Sequence, residues 1–117
     1  MAEFRDLIIW QDSIKLVKDV YNLVKDFPKE EIFGLSSQIK RSAVSIPSNI
    51  AEGKGRQTQK EFINYLHISL GSLYELKTQL IIAKELKFIK NFQDIEKDIN
   101  RLEKMINSLI KRKKDAK

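Results

Sequence analysis

The chain has 117 residues and a formal net charge of +6, and 42% of its residues are hydrophobic. This length predicts a single domain over residues 1–117, because a second core would not fit. The sequence holds no cysteine, which excludes disulfides, thiolate metal sites and cysteine nucleophiles. It also lacks a signal-like N-terminus and an apolar run of about 20 residues, so we expect a soluble cytoplasmic protein that does not enter a membrane.

The basic charge is confined to two segments. Residues 111–117 form a short basic C-terminal tail with five cations and one anion, a net +4. Residues 36–60 hold five cations and one anion, again +4. The rest of the chain is therefore slightly acidic, and any contact with phosphate groups is expected at these two segments. Their cations are Lys40, Arg41, Lys54, Arg56 and Lys60 in the first and Lys111, Arg112, Lys113 and Lys114 in the second.

The first helix is predicted over residues 7–25. Apolar residues at alternating spacings of three and four define its inner face, namely Leu7, Trp10, Ile14, Val17, Tyr21 and Val24, widened by Leu16, Val20 and Leu23. Pro28 ends the pattern, because the residue before a proline is biased away from helical geometry. In the connection that follows, Ile32 and Phe33 are expected to anchor the chain on the core.

The second helix is predicted to begin near Ser36 or Ser37, either of which can cap free backbone donors. Pro47 either ends this helix at Ser45 or kinks it, and the kink is favoured because the apolar spacing continues beyond the proline. The predicted inner face consists of Leu35, Ile39, Ser42 or Ala43, Ile46 and Ile50. Gly53 and Gly55 end the pattern, with Gly53 expected as a left-handed cap.

The third helix, predicted over residues 59–87, has the clearest start, since Thr58 and Glu61 fit a capping box. Its inner stripe is unbroken: Phe62, Leu66, Ser69, Leu73, Leu76, Leu80 and Ala83. A fourth helix follows a turn in which Asn91 can act as the cap, and its inner face is Phe92, Ile95, Ile99, Leu102, Ile106 and Leu109. No segment alternates with a period of two, so the fold class is all-α, an antiparallel up-down four-helix bundle with helix two kinked near Pro47.

Metal and catalytic signatures are missing from the sequence. His67 is the only histidine, and Asn64 stands where the Glu-x-x-His motif of di-iron bundles needs an acid. The segment G-K-G-R at residues 53–56 lacks the flanking residues of a phosphate loop. Glu52 and Glu75 are the two carboxylates away from solvent faces, and both are expected to be structural, Glu75 by pairing with a cation such as Arg41. We therefore expect no metal, no cofactor and no enzymatic activity.

Three segments carry a family resemblance. They are W-Q-D-S-I-K-L, F-G-L-S-S-Q-I-K-R-S-A-V-S-I-P-S-N-I-A-E-G-K-G-R and L-G-S-L-Y-E-L-K-T-Q-L, within a match from about Phe4 to Leu109. The chain thereby resembles the 23S rRNA intervening-sequence proteins, also called S23-like, to which accessory proteins of diversity-generating retroelements are similar. The matching positions are Gln38, Arg41, Ser45, Pro47, Asn49, Glu52, Gly53, Gly55, Arg56, Gly71, Ser72, Glu75 and Leu76.

The resemblance implies a four-helix bundle without known catalytic activity that assembles as a ring-like homopentamer, with relatives that bind nucleic acid and a reverse transcriptase. At the matching positions, Gly71 and Ser72 are expected to allow close helix approach, and Asn49 and Glu52 to bond the loop backbone. Two functions stay open. One is binding of RNA or DNA backbone through the basic residues. The other is a protein-interaction scaffold that binds a protein partner, favoured by the excess apolar surface of helices one and three.

Overall fold

The computed structural model describes residues 3–116, and these residues form four α-helices, two short 3-10 turns and no strand. The helices are α1 Ile8–Val24, α2 Leu35–Lys54, α3 Gln59–Glu85 and α4 Gln93–Asp115. Each helix contacts the next one along the chain, and α1 also contacts α4, which closes the bundle. The molecule is elongated, 49 × 22 × 19 Å, because all four helices follow the long axis. The predicted antiparallel four-helix bundle is confirmed.

The core is built from the apolar stripes that the sequence shows. Every residue of the predicted inner stripe of α3 is buried, including Ser69, and so is the predicted stripe of α2 from Ile39 to Ile50. In α4 the inner stripe ends at Ile110, whereas Leu109 is only partly buried. Burial of apolar side chains at about 25 cal/mol per Å² provides most of the stabilisation of such a bundle.

The buried face of α1 agrees only in part with the predicted one. It consists of Ile9, Ser13, Leu16, Val20 and Val24, of which Leu16, Val20 and Val24 were predicted. Of the predicted face, Trp10 and Val17 pack only against the edge of the core, and Tyr21 is 40% exposed. Both the predicted and the observed stripe have helical spacing. The observed stripe contains the polar Ser13, so the sequence pattern favoured the other one. The structure satisfies Ser13 locally, because its hydroxyl donates to the carbonyl of Trp10 at 2.7 Å.

The start of α2 also differs from the prediction, since neither Ser36 nor Ser37 caps it. The helix begins at Leu35, and Gly34 occupies the cap position. The carboxylate of Glu31 accepts a hydrogen bond from the backbone N–H of Leu35 at 3.0 Å. Ser36 is buried inside the first turn. The capping acceptor that we predicted from Ser36 or Ser37 is therefore supplied by a carboxylate of the preceding turn, Lys29–Glu31.

Helix α2 continues through Pro47 without interruption, as the apolar spacing predicted. A proline has no N–H, so the carbonyl of Ala43 lacks its usual helical donor, and the bend that we expect there stays a prediction. Asn49, which we expected to bond the loop backbone, instead donates from Nδ2 to the carbonyl of Ser45 at 2.8 Å. It lies one turn before the loop and braces the helix next to Pro47.

Gly53 is not a left-handed cap, because no described glycine has a positive φ. It lies inside the last turn of α2, is buried, and faces α3. A Cβ atom at this position would lie 2.5 Å from Cβ of Tyr65 and 3.1 Å from Cδ1 of Phe62. Gly55 follows as the helix cap in ordinary right-handed geometry. Gly53 is therefore required by the close approach of two helices, and not by backbone conformation.

Helix α3 begins at the predicted cap, Thr58, whose hydroxyl oxygen lies 3.1 Å from the backbone nitrogen of Glu61. The predicted capping box is only half formed, because the Glu61 carboxylate accepts from the Thr58 hydroxyl at 3.0 Å and not from the Thr58 backbone. Asn91 accepts a weaker bond from the N–H of Gln93 at 3.3 Å, one residue before the position that caps α4. At its other end α4 continues to Asp115. The basic residues 111–114 are thus the final turns of a helix, where cations favourably face the negative end of the helix dipole.

Candidate nucleic-acid interface

The connection between α2 and α3 is held by Glu52, Arg56 and Tyr65. Nη2 of Arg56 donates to Oε2 of Glu52 at 2.8 Å and to the phenol oxygen of Tyr65 at 2.6 Å. The Tyr65 hydroxyl donates in turn to the same Glu52 oxygen at 3.2 Å. The hydrogen bond to Tyr65, followed by that to Glu52, raises the pKa of Arg56. Glu52, which we expected to bond the loop backbone, instead accepts from these two side chains and neutralises one cation of the basic segment.

The two basic segments of the sequence meet at one end of the bundle. The ammonium groups of Lys54, from the end of α2, and Lys113, from the end of α4, lie 5.8 and 5.9 Å from the centre of the Phe62 ring. This distance suits an attraction between a cation and an aromatic face. Phe62 itself is buried beneath them, at 5% exposure. An up-down bundle produces this meeting, because the α2–α3 connection and the chain end lie at the same end.

We call this end, with its seven cations, the basic end: Lys54, Arg56, Lys60, Lys111, Arg112, Lys113 and Lys114. Lys54 and Lys113 are half-buried and the other five are exposed. Arg56 is paired with Glu52, whereas the other six form no ion pair with any residue in 3–116. These six cations outnumber the carboxylates Glu61 and Asp115 in the same helix turns, and an excess of positive charge attracts polyanions.

Lys40 and Arg41 do not belong to this cluster, although the sequence suggested one patch with Lys54. Fourteen positions separate Lys40 from Lys54, which is about 21 Å along the helix at about 1.5 Å per residue. The Lys40 ammonium lies 5.0 Å from the centre of the Tyr21 ring. The first basic segment is therefore divided between the two ends of α2, and only its last three cations reach the basic end.

The expected ion pair between Glu75 and Arg41 is not present among the described residues. Both side chains line a shallow groove of about 320 Å³ between α2 and α3, and both are exposed. Gly71, expected to allow close helix approach, faces open space, since no atom lies within 4 Å of a Cβ placed there. Pro47, in contrast, is buried against the core. These residues of the family pattern differ in role.

The α2–α3 interface contains buried or partly buried serines whose pairing the sequence did not reveal. The hydroxyl of Ser42 donates to Oε1 of Gln79 at 2.9 Å. Ser69 donates to the carbonyl of Ile46 at 3.0 Å. The hydroxyls of Ser45 and Ser72 bond each other. No side-chain polar atom buried in residues 3–116 lacks a partner. The one sequence signal was Ser69, which interrupts an otherwise apolar inner stripe.

The connection between α1 and α2 exposes two apolar side chains that we expected to pack on the core, and these side chains matter for function. Phe33 is 96% exposed and Ile32 is 56% exposed, so neither anchors this connection on the core. That task belongs to Phe27, whose ring lies 5.6 Å from the ring of Phe88. Spacing alone could not distinguish these phenylalanines, since all lie outside the helices.

Residues 3–116 contain no group of three or more histidine or acidic side chains placed to hold a metal ion. His67 is exposed on α3. Within the same residues, no helix has both the length and the apolar character that a membrane crossing requires.

The geometry defines a four-helix-bundle protein with one basic end. The chain belongs to the 23S rRNA-intervening sequence protein family, whose sequence model matches residues 5–108. Its structure is similar to that of a protein of unknown function from the S23 ribosomal protein family of Bacteroides thetaiotaomicron, with 27% identity and a TM-score of 0.79. That similarity covers 89% of this chain and 99% of the other. No curated protein matches the chain significantly.

Proposed function

We propose that this protein is a non-enzymatic binding protein whose basic end holds the phosphate backbone of RNA or DNA in the cytoplasm. The observation that carries the proposal is the meeting of two basic segments, remote in sequence, at Phe62. Six cations there have no ion-pair partner within residues 3–116. Cations without internal partners can neutralise phosphates and release their counterions, which is the main source of backbone affinity.

Binding at this end is expected to be insensitive to base sequence. Base recognition on single strands relies on exposed aromatic rings, on which bases stack. Phe62, the ring beneath Lys54 and Lys113, is only 5% exposed, and its face is already covered by these lysines. The ring holds the lysines in position, while the phosphates of the ligand meet their ammonium groups.

The test is a salt titration of oligonucleotide binding, with RNA and DNA, on the wild type and on Lys54→Gln combined with Lys113→Gln. Each lost phosphate contact reduces the slope of log K against log salt by about 0.7 for single strands and about 0.9 for duplexes. We expect the double variant to lose affinity and to reduce the slope by about 1.4 to 1.8 in total.

The matched control is Lys90→Gln combined with Lys97→Gln, which removes the same charge from exposed sites outside the basic end. We expect it to keep the wild-type slope. An equal loss in both double variants would show that net charge, and not this end of the bundle, governs binding. Undetectable binding of the wild type at low salt would reject the proposal.

We further propose that the protein is a homo-oligomer, for which the resemblance to the family suggests a pentamer. Several basic ends on one strand would raise the affinity for long nucleic acids through effective concentration, without any new contact. The exposed Phe33 supports self-association, since a phenyl ring exposed at 96% is costly in water.

The exposure of Phe33 also favours a second candidate function. This is a protein-interaction scaffold that binds a protein partner and has no role with nucleic acid. An oligomer that binds neither RNA nor DNA at low salt would support this alternative.

A further inference from the structure

An apolar groove runs between α1 and α2 on the outside of the bundle. It consists of two adjoining cavities of about 540 and 450 Å³ that share Tyr21 and Val44. Val17 lies at one end of the groove, and Ile32 and Phe33 at the other. Tyr21 and Val44 are each 40% exposed. We call this surface the α1–α2 groove.

The α1–α2 groove carries positive charge only. Four cations line it, namely Lys18, Lys25, Lys40 and Arg41, and no carboxylate does. None of the four forms an ion pair within the described part of the chain. The surface that fits it must therefore be apolar and acidic.

A surface of this kind is present on α3. Ile68, Glu75 and Ile82 follow one another at intervals of seven residues, so they share one face of the helix, and Leu86 continues it. The three apolar residues are 50%, 43% and 56% exposed, in the order Ile68, Ile82, Leu86. Glu75 is exposed and has no ion pair among the described residues. We call this face the α3 ridge.

We propose that the α3 ridge of one copy docks in the α1–α2 groove of a second copy. This inference rests on the proposed homo-oligomer and specifies its contact. A helix laid into an apolar groove is a common mode of recognition. Here the uncompensated Glu75 would meet the uncompensated cations Lys40 and Arg41. Groove and ridge are different surfaces of one molecule, so the contact is heterologous and repeats from copy to copy until a ring closes.

The heights of the two surfaces along the bundle agree. The bond between Ser42 and Gln79 shows that α2 near Arg41 lies level with the part of α3 that carries Glu75 and Ile82. A rotation axis parallel to the helices preserves these heights. Each basic end then lies on the same rim of the assembly and stays free of the contact.

The experiment uses two variants, each with one damaged surface: Phe33→Asp in the groove and Ile82→Asp on the ridge. Light scattering at micromolar concentration should show an oligomer for the wild type and monomers for each variant alone. An equimolar mixture should give a one-to-one dimer and nothing larger. The Ile82→Asp copy keeps an intact groove, and the Phe33→Asp copy keeps the intact ridge that fills it.

The control is Ile81→Asp, an equally exposed site on a different face of α3, which should leave the oligomer intact. Circular dichroism should show that all three variants are folded, because each changed side chain is at least 43% exposed. Arg41→Glu alone should weaken association at least tenfold, and adding Glu75→Arg to the same chain should restore it, since the pair is then reversed.

An oligomeric wild type whose two variants fail to combine on mixing, or whose Ile82→Asp variant stays assembled, would overturn the docking while leaving the homo-oligomer standing. A monomeric wild type would overturn both and leave the groove to a different partner. Binding of a short oligonucleotide is expected to be equal in the wild type and the Phe33→Asp variant. The nucleic-acid proposal is thus tested separately.

Discussion

Gly53 and Gly71 both lie inside helices, yet their surroundings are opposite. Space for a side chain is missing at Gly53, where a Cβ atom would approach Cβ of Tyr65 to 2.5 Å. At Gly71 a Cβ atom would meet nothing within 4 Å. Alanine is more favourable than glycine inside a helix by about 1 kcal/mol. A Gly→Ala substitution should therefore change the free energy of unfolding in opposite directions at the two positions.

We expect Gly53→Ala to lower the free energy of unfolding by about 1 to 3 kcal/mol, the usual cost of overpacking. Gly71→Ala should raise it by about 0.5 to 1 kcal/mol, because the helix gains and nothing clashes. Urea unfolding of both variants beside the wild type measures the two effects. Equal changes in both variants would show that the contact with Tyr65 is unimportant.

Tyr74 provides a prediction about pH. Its hydroxyl donates to Oε2 of Glu103 at 3.0 Å, and this bond, with some desolvation, raises the pKa of Tyr74 above its ordinary value of 10.0. The bond exists only while the phenol is protonated. Its contribution is therefore complete below pH 10.0 and is lost as the pH rises through the raised pKa.

Ultraviolet titration of phenolate in the wild type minus Tyr74→Phe isolates this group among the three tyrosines. We expect the difference curve to lie above the ordinary tyrosine range, and Glu103→Gln to move it downward, because the negative charge is removed. A curve centred in the ordinary range would contradict the hydrogen bond.

At the residue scale, the sequence predicts what a residue does alone or with near neighbours in the chain. The Thr58 cap depends on Glu61, three positions later, and the structure contains it. The role of Gly53 depends on Tyr65 in another helix, and no local pattern contains that information. The glycine therefore looked like a cap, because caps are the commonest reason for a glycine near a helix end.

At the scale of elements, the α2–α3 pair is distinguished by its buried serines. Ser69 is fully buried and donates to the carbonyl of Ile46. We expect Ser69→Ala to lower the free energy of unfolding by about 1 kcal/mol, the net value of one buried hydrogen bond. Ser69→Leu, which the heptad pattern suggests, should cost about 1 to 3 kcal/mol, because the helices are already in contact there.

Thermal and urea unfolding test this prediction, with Ser48→Ala as the control. Ser48 is exposed on the opposite side of α2, where a substitution changes stability by less than about 0.5 kcal/mol. A stabilising Ser69→Leu would indicate that the helices can separate to accept a larger residue.

The buried face of a helix was predictable where one apolar stripe was unbroken. In α3 the stripe from Phe62 to Ala83 has no gap, and the structure buries all of it, although this helix carries further apolar residues on other faces. In α1 two stripes overlap, and the large aromatic residues Trp10 and Tyr21 belong to the less buried one. Periodicity shows that a helix has two apolar faces, but it does not show which of them is more deeply buried. The partner helices decide, and the second face is left for another contact.

At the scale of the whole molecule, the two proposed surfaces should cooperate. A long RNA can span several basic ends of an assembly, whereas a short oligonucleotide reaches one. We expect the wild type to bind the long RNA at least about 10²-fold more tightly than the short one. Phe33→Asp should lose most of this ratio and keep the short-strand affinity. Fluorescence anisotropy measures both, and Ile81→Asp should behave like the wild type.

A ratio that persists in the Phe33→Asp variant would mean that the length of the RNA acts through one protein molecule, without assembly.

The meeting of the basic segments follows from the up-down order of the helices, so it could be predicted from the sequence once four helices were predicted. The exposure of Phe33 did not follow, because the path of a connection depends on how neighbouring side chains fill the core.

The short connection between α2 and α3 has a consequence for the rate of folding. These two helices share the most extensive contact in the molecule, and only residues 55–58 separate them. Contacts close in sequence cost little loop entropy, so this pair is expected to form early, before α1 and α4 pack against it. Ser69→Ala should then mainly slow refolding, whereas Ile106→Val in α4 should mainly speed unfolding, as stopped-flow kinetics can measure.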